Sequence, residues 1–263
     1  MRSIFVGAVA LLLTFSACDD GKVNFFTVDQ DKQFGEEVFA ELSADPATYP
    51  ILPREGNEAL YERVEAIRDE ILASGELRHA ETFDWDIYLI DQDVLNAFAI
   101  PGGKTFYYTG LIRFLDNEAS LAGVMAHEMA HVDRRHSTAM MTRQHGYQTL
   151  LAVLLGNNET VVGELAGSLA LGLGNMAYSR DNEYEADAYA VNYLYNTKYD
   201  ARGVAYFFEK LESGEQSRIA TYLSTHPSPD DRVEQIHQEH QKLGGKAGGK
   251  YETEYKELKT LLP

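Results

Sequence analysis

The chain has 263 residues, of which 44% are hydrophobic, enough to fill one core of ordinary domain size. Its 23 Lys and Arg against 41 Asp and Glu give a formal net charge of −18, which argues against nucleic acid or an anionic membrane surface as a partner. A single cysteine, Cys18, excludes an internal disulfide.

The first residues have the pattern of a secretory signal. A single positive charge is followed by an apolar run that is too short for a membrane span. The sequence Phe15-Ser16-Ala17-Cys18 resembles a bacterial lipobox. We therefore predict a lipoprotein signal peptide over 1–17, and a tether over 18–29 that is anchored to a membrane through a lipid on Cys18. Ordinary signal cleavage that leaves a free cysteine is the alternative.

Two amphipathic helices are predicted next. Apolar residues recur at helical spacing from about Asn24 to Asp45 and from about Asn57 to Ala73. Several prolines separate the two segments. Both helices are expected only to pack against the core.

A small antiparallel sheet is predicted after the second helix. The stretch Phe83–Ile90 alternates apolar and polar residues, which is typical of a half-buried strand. The segments Asn96–Ile100 and Thr105–Thr109 flank Pro101-Gly102-Gly103, a composition that favours a hairpin.

The sequence His127-Glu128-Met129-Ala130-His131 predicts a zinc site on a helix. Because a helix advances about 100° per residue, the two histidines lie within about 40° of each other and can bind one metal. Glu128, the residue after His127, is placed beside them, where a carboxylate can take a proton from a metal-bound water. Apolar neighbours indicate a buried helix, and buried His and Glu need partners that a metal supplies. Two ordinary core histidines are the alternative.

The extent of the motif helix determines which nearby residues can be further metal ligands. Asp116 or Asn117 is expected to cap the helix, which runs to about His136. His136 lies about 140° round from His131 and cannot reach the same metal from this helix. A longer zinc motif with a third histidine requires glycine where this chain has Arg134. The third ligand must therefore come from elsewhere.

Two apolar segments follow, at 150–155 and 161–173, and neither is long enough to span a bilayer. Core packing is one interpretation of the second segment, and a cover over the active site is another. A membrane-surface role is the third.

A helix predicted over about Arg180–Tyr195 supplies the remaining ligand. Glu183 shares its face with Val191, which marks that face as inward, whereas Glu185 lies about 200° away from Glu183. Glu183 is therefore the predicted ligand, and Glu185 is a solvent-facing or supporting residue. Asp187, one turn on, can accept the second imidazole N–H of a metal-bound histidine. Buried salt-bridge partners are the alternative.

Four segments together resemble zinc metallopeptidases of the HtpX and CAAX-prenyl-protease type. They are, in chain order, Asn96–Gly103, His127–His131, Ser179–Asp187 and Thr225–Pro227. Over about residues 30–240 the chain is similar to the soluble periplasmic, BepA-like branch and to the catalytic domain of the Oma-like branch. We expect none of the membrane spans of HtpX, and no helical-repeat domain after 243.

The resemblance implies an α+β, mainly helical, gluzincin-type domain over 30–243 with a zinc-binding active-site helix. It implies one Zn²⁺ on His127, His131 and Glu183, with Glu128 as general base. A histidine matching His226 is implied to contact the zinc or the reacting carbonyl, either stabilising the transition state or gating the site.

The last part of the chain carries no chemical motif. Ser228 and Pro229 have the pattern of a helix start, and Arg232 is predicted to anchor the loop that carries His226. The run 244–250 is predicted to be a flexible Gly/Lys-rich linker, and 251–263 a tail of unknown role.

An exposed edge of the small sheet can bind an extended substrate by adding it as a further strand. On this basis the predicted substrate-binding residues are Asn96, Ala97, Phe98 and Ala99. A purely structural hairpin is the alternative.

The predicted function is a zinc endopeptidase on the periplasmic side of the bacterial cell envelope. It is lipid-anchored to the inner or outer membrane, and its substrates are misfolded or stalled envelope proteins. A lipid-anchored chaperone or assembly factor with a gated or structural zinc site is the alternative. A zinc hydrolase that acts on cell-wall or lipid substrates is a third reading.

Overall fold

The computed structural model describes residues 18–19, 22–144, 159–172, 177–212, 222–227 and 231–263. The predicted signal peptide and the apolar segment 150–155 lie outside these ranges. In the part of the chain that is described, no helix is long and apolar enough to cross a bilayer.

Helices make up most of the described chain. They are α1 (Val28–Ala44), α2 (Glu58–Leu72), α3 (Thr109–Phe114), α4 (Glu118–Asp133), α5 (Glu159–Gly172), α6 (Arg180–Tyr195), α7 (Gly203–Glu212), α8 (Arg232–Lys242) and α9 (Glu252–Lys259). The strands are β1 (Cys18–Asp19), β2 (Lys22–Val23), β3 (Ile87–Ile90), β4 (Ala97–Ala99) and β5 (Thr105–Tyr108). The predicted, mainly helical α+β class is confirmed.

The three-stranded sheet is mixed rather than antiparallel, which corrects the prediction. Its strand order is β3-β5-β4, so β3 pairs parallel with β5 while β4 and β5 form the predicted antiparallel hairpin. Alternating residues reveal that a segment is a strand but not which strand lies beside it, and the parallel neighbour was therefore missed.

The sheet separates two hydrophobic clusters. Residues at odd positions, such as Ile87 and Leu89, face a cluster formed with α2, α4, α6 and α7. Residues at even positions, such as Phe98 and Phe106, face a second cluster formed with α1 and α5. The alternation predicted from Phe83 is confirmed in burial, although strand pairing begins only at Ile87.

Glycines allow α4 to approach α7 closely. A Cβ added to Gly123 would lie 2.1 Å from the backbone nitrogen of Val204, and one added to Gly203 would lie 1.9 Å from the carbonyl oxygen of Ala119. Real Cβ atoms do not approach backbone this closely, so the two helix backbones meet only because neither position has a side chain. This contact fixes α4 against its neighbour.

We expect Gly123→Ala to lower the free energy of unfolding by about 1–3 kcal/mol, because the two helices must move apart. Urea denaturation of the purified protein measures this change. Gly163→Ala is the matched control, since a Cβ at that position of α5 meets no atom within 4 Å. The control should be neutral or stabilising by up to about 1 kcal/mol. Equal stability of the Gly123 variant and the wild type would contradict the close-packing argument.

The turn after α4 is held by the N-terminal part of the described chain. Arg135 has a left-handed backbone conformation, with φ of 56°. Its Nε donates to Asp31 of α1 at 2.5 Å, and its guanidinium also donates to the carbonyl of Phe26. Nearby, the amide of Asn24 donates to the hydroxyl of Thr138 at 2.9 Å. These bonds fix the point where the chain leaves the motif helix.

The segment 244–263 packs against the domain through Gly248, Tyr255 and Leu258, which differs from the predicted flexible linker and tail. A Cβ added to Gly248 would lie 2.1 Å from the carbonyl oxygen of Tyr199, so glycine serves a close backbone contact here. Tyr255 and Leu258 of α9 are fully buried, and the Tyr255 hydroxyl donates to a backbone carbonyl of α3 at 2.7 Å.

Candidate metal centre

The motif helix α4 begins as predicted. Asn117 is its N-cap, and the Asn117 side chain accepts a hydrogen bond from the backbone N–H of Ser120 at 2.9 Å. The helix ends at Asp133, before the predicted end at His136. Its whole length is buried, as the apolar surroundings of the motif indicated.

Four side chains from three parts of the chain meet beside α4. Nε2 of His127 lies 3.0 Å from Nε2 of His131. From α6, the two carboxylate oxygens of Glu183 each lie 3.5 Å from one of these nitrogens. His226 Nδ1 lies 3.4 Å from His127 Nε2 and 3.3 Å from Glu183. The structure thus brings together the three predicted ligands and adds His226 as a fourth donor.

This donor set fits zinc. Zinc binds imidazole nitrogen and carboxylate oxygen at about 2.0–2.2 Å in a tetrahedron, which places neighbouring donor atoms about 3.3 Å apart. The separations of 3.0–3.5 Å in the cluster match that spacing. All four donor atoms lie within 4.8 Å of one another, and all four residues are buried.

The electrostatics of His131 and Glu183 suit a metal, whereas those of His127 favour a bound proton that a metal would displace. Burial holds the pKa of His131 well below its usual value, which keeps this ring neutral, as metal binding requires. Burial opposes ionisation of Glu183, yet His226 and hydrogen bonds from His127 and His131 hold its pKa well below the usual value. Burial alone would lower the pKa of His127, but hydrogen bonds to Asp187 and Glu183 raise it to about 9.

Glu128 differs from the ligands. Its carboxylate is fully buried, and neither oxygen has a hydrogen-bond partner among the described residues. His226 approaches this carboxylate, with its Nε2 3.4 Å from Glu128 Oε1. Burial raises the pKa of Glu128, and the charges of His226 and His127 partly offset this effect. A buried carboxylate that accepts no hydrogen bond can accept a proton.

The outer nitrogen of His127 is bonded as the sequence predicted. His127 Nδ1 lies 2.9 Å from Asp187 Oδ1. Arg232 donates to both oxygens of Asp187, from Nε at 2.6 Å and from Nη2 at 2.7 Å. Its Nη1 lies 2.9 Å from Glu183 Oε2, close enough for an ion pair although it is not aligned as a hydrogen bond.

The contacts of Arg232 among the described residues differ from the predicted one. Its side chain supports Asp187 and Glu183 from the first turn of α8, and its role in anchoring the loop of His226 stays a prediction. A position near a helix start does not reveal which carboxylates lie opposite it in the fold. The predicted helix-start residues Ser228 and Pro229 lie outside the described residues.

Three residues at the site were missed by sequence reasoning. His136 Nδ1 lies 2.8 Å from the outer nitrogen of His131. The ring of Tyr178 stacks on His131 with centroids 3.9 Å apart, and the ring of Tyr222 stacks on His226 at 4.7 Å. These contacts depend on tertiary packing, and no local pattern in the sequence signals them.

Comparison with known proteins decides the family. Residues 58–240 match the model of Peptidase family M48. The chain belongs to peptidase family M48. Zinc is the metal of M48 metallopeptidases, so the predicted family, the metalloendopeptidase class and the zinc cofactor are confirmed.

Individual M48 relatives are similar over part of their length. The chain is 28% identical to the Beta-barrel assembly-enhancing protease of Yersinia pestis over 79% of this chain and 43% of that protein. It is 33% identical to the Escherichia coli (strain K12) protein of the same name over 56% of this chain and 32% of that protein. The Mitochondrial metalloendopeptidase OMA1 of Arabidopsis thaliana is 30% identical over 59% of this chain and 31% of that protein. The chain thus spans less than half the length of these relatives.

The predicted substrate-binding residues of the M48 domain are buried in this structure. Strand β4 does lie at the edge of the sheet, but the four predicted residues Asn96, Ala97, Phe98 and Ala99 are all buried. Phe98 and Ala99 line a small apolar cavity together with Leu169, Tyr178 and His226. An exposed strand was expected, but the side chain of Phe98 packs against α5, and Phe98 and Ala99 lie beside the His226 segment. The role of the four residues stays a prediction.

Proposed function

We propose that this M48 chain is a zinc-dependent endopeptidase of the bacterial cell envelope that degrades misfolded or stalled envelope proteins. The observation that carries the proposal is the buried cluster of His127, His131 and Glu183 beside the carboxylate of Glu128, which has no hydrogen-bond partner among the described residues. A structural zinc site has no use for such a carboxylate, whereas peptide hydrolysis needs a proton acceptor there.

The mechanism follows from the placement of the side chains. Zinc, when bound, supplies Lewis-acid activation of water and of the scissile carbonyl. Glu128 accepts the proton of the attacking water and passes it to the leaving amine. Asp187 and Arg232 hold the ring of His127 in the orientation that ligation needs. His226 Nε2, beside Glu128, is placed to donate to the developing oxyanion when its ring turns away from the ligand cluster.

The cellular setting rests on two further observations. The lipobox-like sequence before Cys18 supports export and a lipid anchor on the periplasmic side of the inner or outer membrane. The similarity to the two Beta-barrel assembly-enhancing proteases supports substrates among envelope proteins. Recognition of main chain would then add an extended substrate to the edge strand β4 as a further strand.

The test is zinc content and casein cleavage by the soluble form that starts after Cys18. We expect about one zinc per chain and cleavage of unfolded casein. Glu183→Gln should lose both, because a neutral amide is a poor zinc ligand. Absence of zinc from the wild type would refute the proposed function. Full zinc affinity in the variant would remove Glu183 from the ligand set.

A second candidate, a chaperone or assembly factor whose site is held shut, has one observation in its favour. His226 Nδ1 occupies the fourth corner of the ligand cluster, where a substrate or water would bind. If this contact gates the site, His226→Ala should raise casein cleavage at unchanged zinc content. An increase of about tenfold corresponds to about 1.4 kcal/mol in favour of the closed arrangement. A fall in kcat would instead assign His226 to the oxyanion.

A further inference from the structure

The chain turns at Arg134 and Arg135 directly after the motif helix, and this turn places a further histidine, His136, beside His131. Helix α4 ends at Asp133, and Arg135 adopts the left-handed conformation. The next residue, His136, is fully buried, with its Nδ1 2.8 Å from Nδ1 of His131. His136 therefore contacts the His131 ring at Nδ1, the nitrogen that faces away from Glu183.

The hydrogen-bond directions in this contact are fixed by His131. A ring that binds metal through Nε2 carries its proton on Nδ1 and must donate from there. His136 Nδ1 is then the acceptor, so the proton of a neutral His136 ring lies on Nε2. That nitrogen is 3.3 Å from Glu185 Oε2, and Glu185 Oε1 accepts from Arg134 Nε at 3.0 Å. Each bond in the chain has one donor and one acceptor.

The two ligand histidines are thus supported in different ways. The outer nitrogen of His127 contacts the carboxylate of Asp187, which is held in place by the buried guanidinium of Arg232. The outer nitrogen of His131 instead contacts a neutral imidazole, that of His136. The carboxylate of Glu185 contacts the other nitrogen of the His136 ring. The stacked ring of Tyr178 sets the plane of the His131 ring but has no part in choosing which nitrogen carries the proton.

We propose that His136 is a positioning residue for zinc: it accepts the Nδ1–H of His131 and, with Glu185 behind it, holds the tautomer that presents Nε2 to the metal. This inference rests on the proposed assignment of His131 as a ligand. Glu185 then supports His136, and the left-handed turn at Arg135 serves to place His136 beside His131.

The test compares zinc affinity in matched variants, measured by competition with a chromophoric chelator. His136→Leu keeps bulk but removes the acceptor, and we expect zinc binding about 10–100-fold weaker. His136→Asn places an amide oxygen near the position of Nδ1 and should recover most of the loss. His237→Leu, at a partly exposed histidine of α8 that contacts Glu209, is the control and should bind zinc as the wild type does. The absorption spectrum of the Co²⁺-substituted protein should change in the Leu variant and return in the Asn variant.

Two outcomes would overturn the proposal. One is a folded Leu variant with wild-type zinc affinity. The other is an Asn variant no better than Leu, which would reduce His136 to a packing role. If the Leu variant does not fold, Glu185→Ala carries the test and should weaken zinc binding several-fold, with unchanged affinity counting against the proposal. Zinc retained at full affinity by His131→Ala would refute the ligand assignment itself, which separates that failure from failure of the positioning role.

Discussion

Replacing Glu128 by glutamine is expected to abolish peptide cleavage while zinc stays bound. Glu128 lies outside the group of four donor residues, so its substitution leaves the ligands intact. An amide of the same shape cannot accept the proton of the attacking water, and loss of a general base lowers turnover by about 10²–10⁴-fold. The Glu128 carboxylate is buried and has no hydrogen-bond partner among the described residues, so neutralising it should leave the protein as stable as before or more stable.

This expectation is checked by kcat/KM for casein, zinc content and thermal unfolding of the same preparation. Glu118→Gln is a control on the same helix, since Glu118 is also buried but bonds Arg63 and Tyr199 at the opposite end of α4. The control should keep its turnover per folded molecule. Near-normal cleavage by the Glu128 variant would end the assignment of this residue as general base.

Replacing Arg232 by methionine is expected to destabilise the domain strongly. The guanidinium is almost completely buried and is the shared partner of Asp187 and Glu183. Removing it leaves two buried carboxylates without that charge, and breaking a buried pair in this way costs about 3–5 kcal/mol. Domains have total stabilities of about 5–15 kcal/mol, so the loss is a large share.

Urea denaturation with and without chelator measures the effect of Arg232→Met. The destabilisation should be larger with the chelator present, because zinc supplies positive charge beside Glu183 when it is bound. Arg202→Met is the control, since Arg202 also makes two bonds to one carboxylate, that of Asp200, but its side chain is 31% exposed. Exposed pairs contribute about 1 kcal/mol or less. A loss no larger than that of the control would show that the buried cation is dispensable.

The parts of the site that lie on a single helix could be predicted from the sequence. The spacing of His127 and His131 fixes their shared face, and the same geometry identified Glu183 and Asp187 as inward residues of α6. In each case the helix continues regularly through the residues concerned. Local periodicity is then sufficient, because rotation per residue is constant.

The parts of the site that depend on a helix end or on a distant element could not be predicted. His136 was placed by continuing α4, but the helix stops at Asp133 and Arg135 turns the chain, which no helical projection anticipates. Arg232 joins α8 to α6 through carboxylates some 45 residues away in the chain. The parallel pairing of β3 with β5 was missed for the same reason, since strand neighbours are decided by packing.

The burial of α9 bears on how this protein is synthesised. The backbone N–H of Ala119, in the first turn of the motif helix, donates to the carbonyl of Lys250, and Tyr255 fills the space beside α3. Translation proceeds from the N-terminus, so the helix that carries His127 gains these contacts only after the segment 244–263 has been made. A polypeptide cut short near residue 243 would lack these contacts. The final packing of the motif helix therefore depends on a segment that is synthesised long after the helix itself.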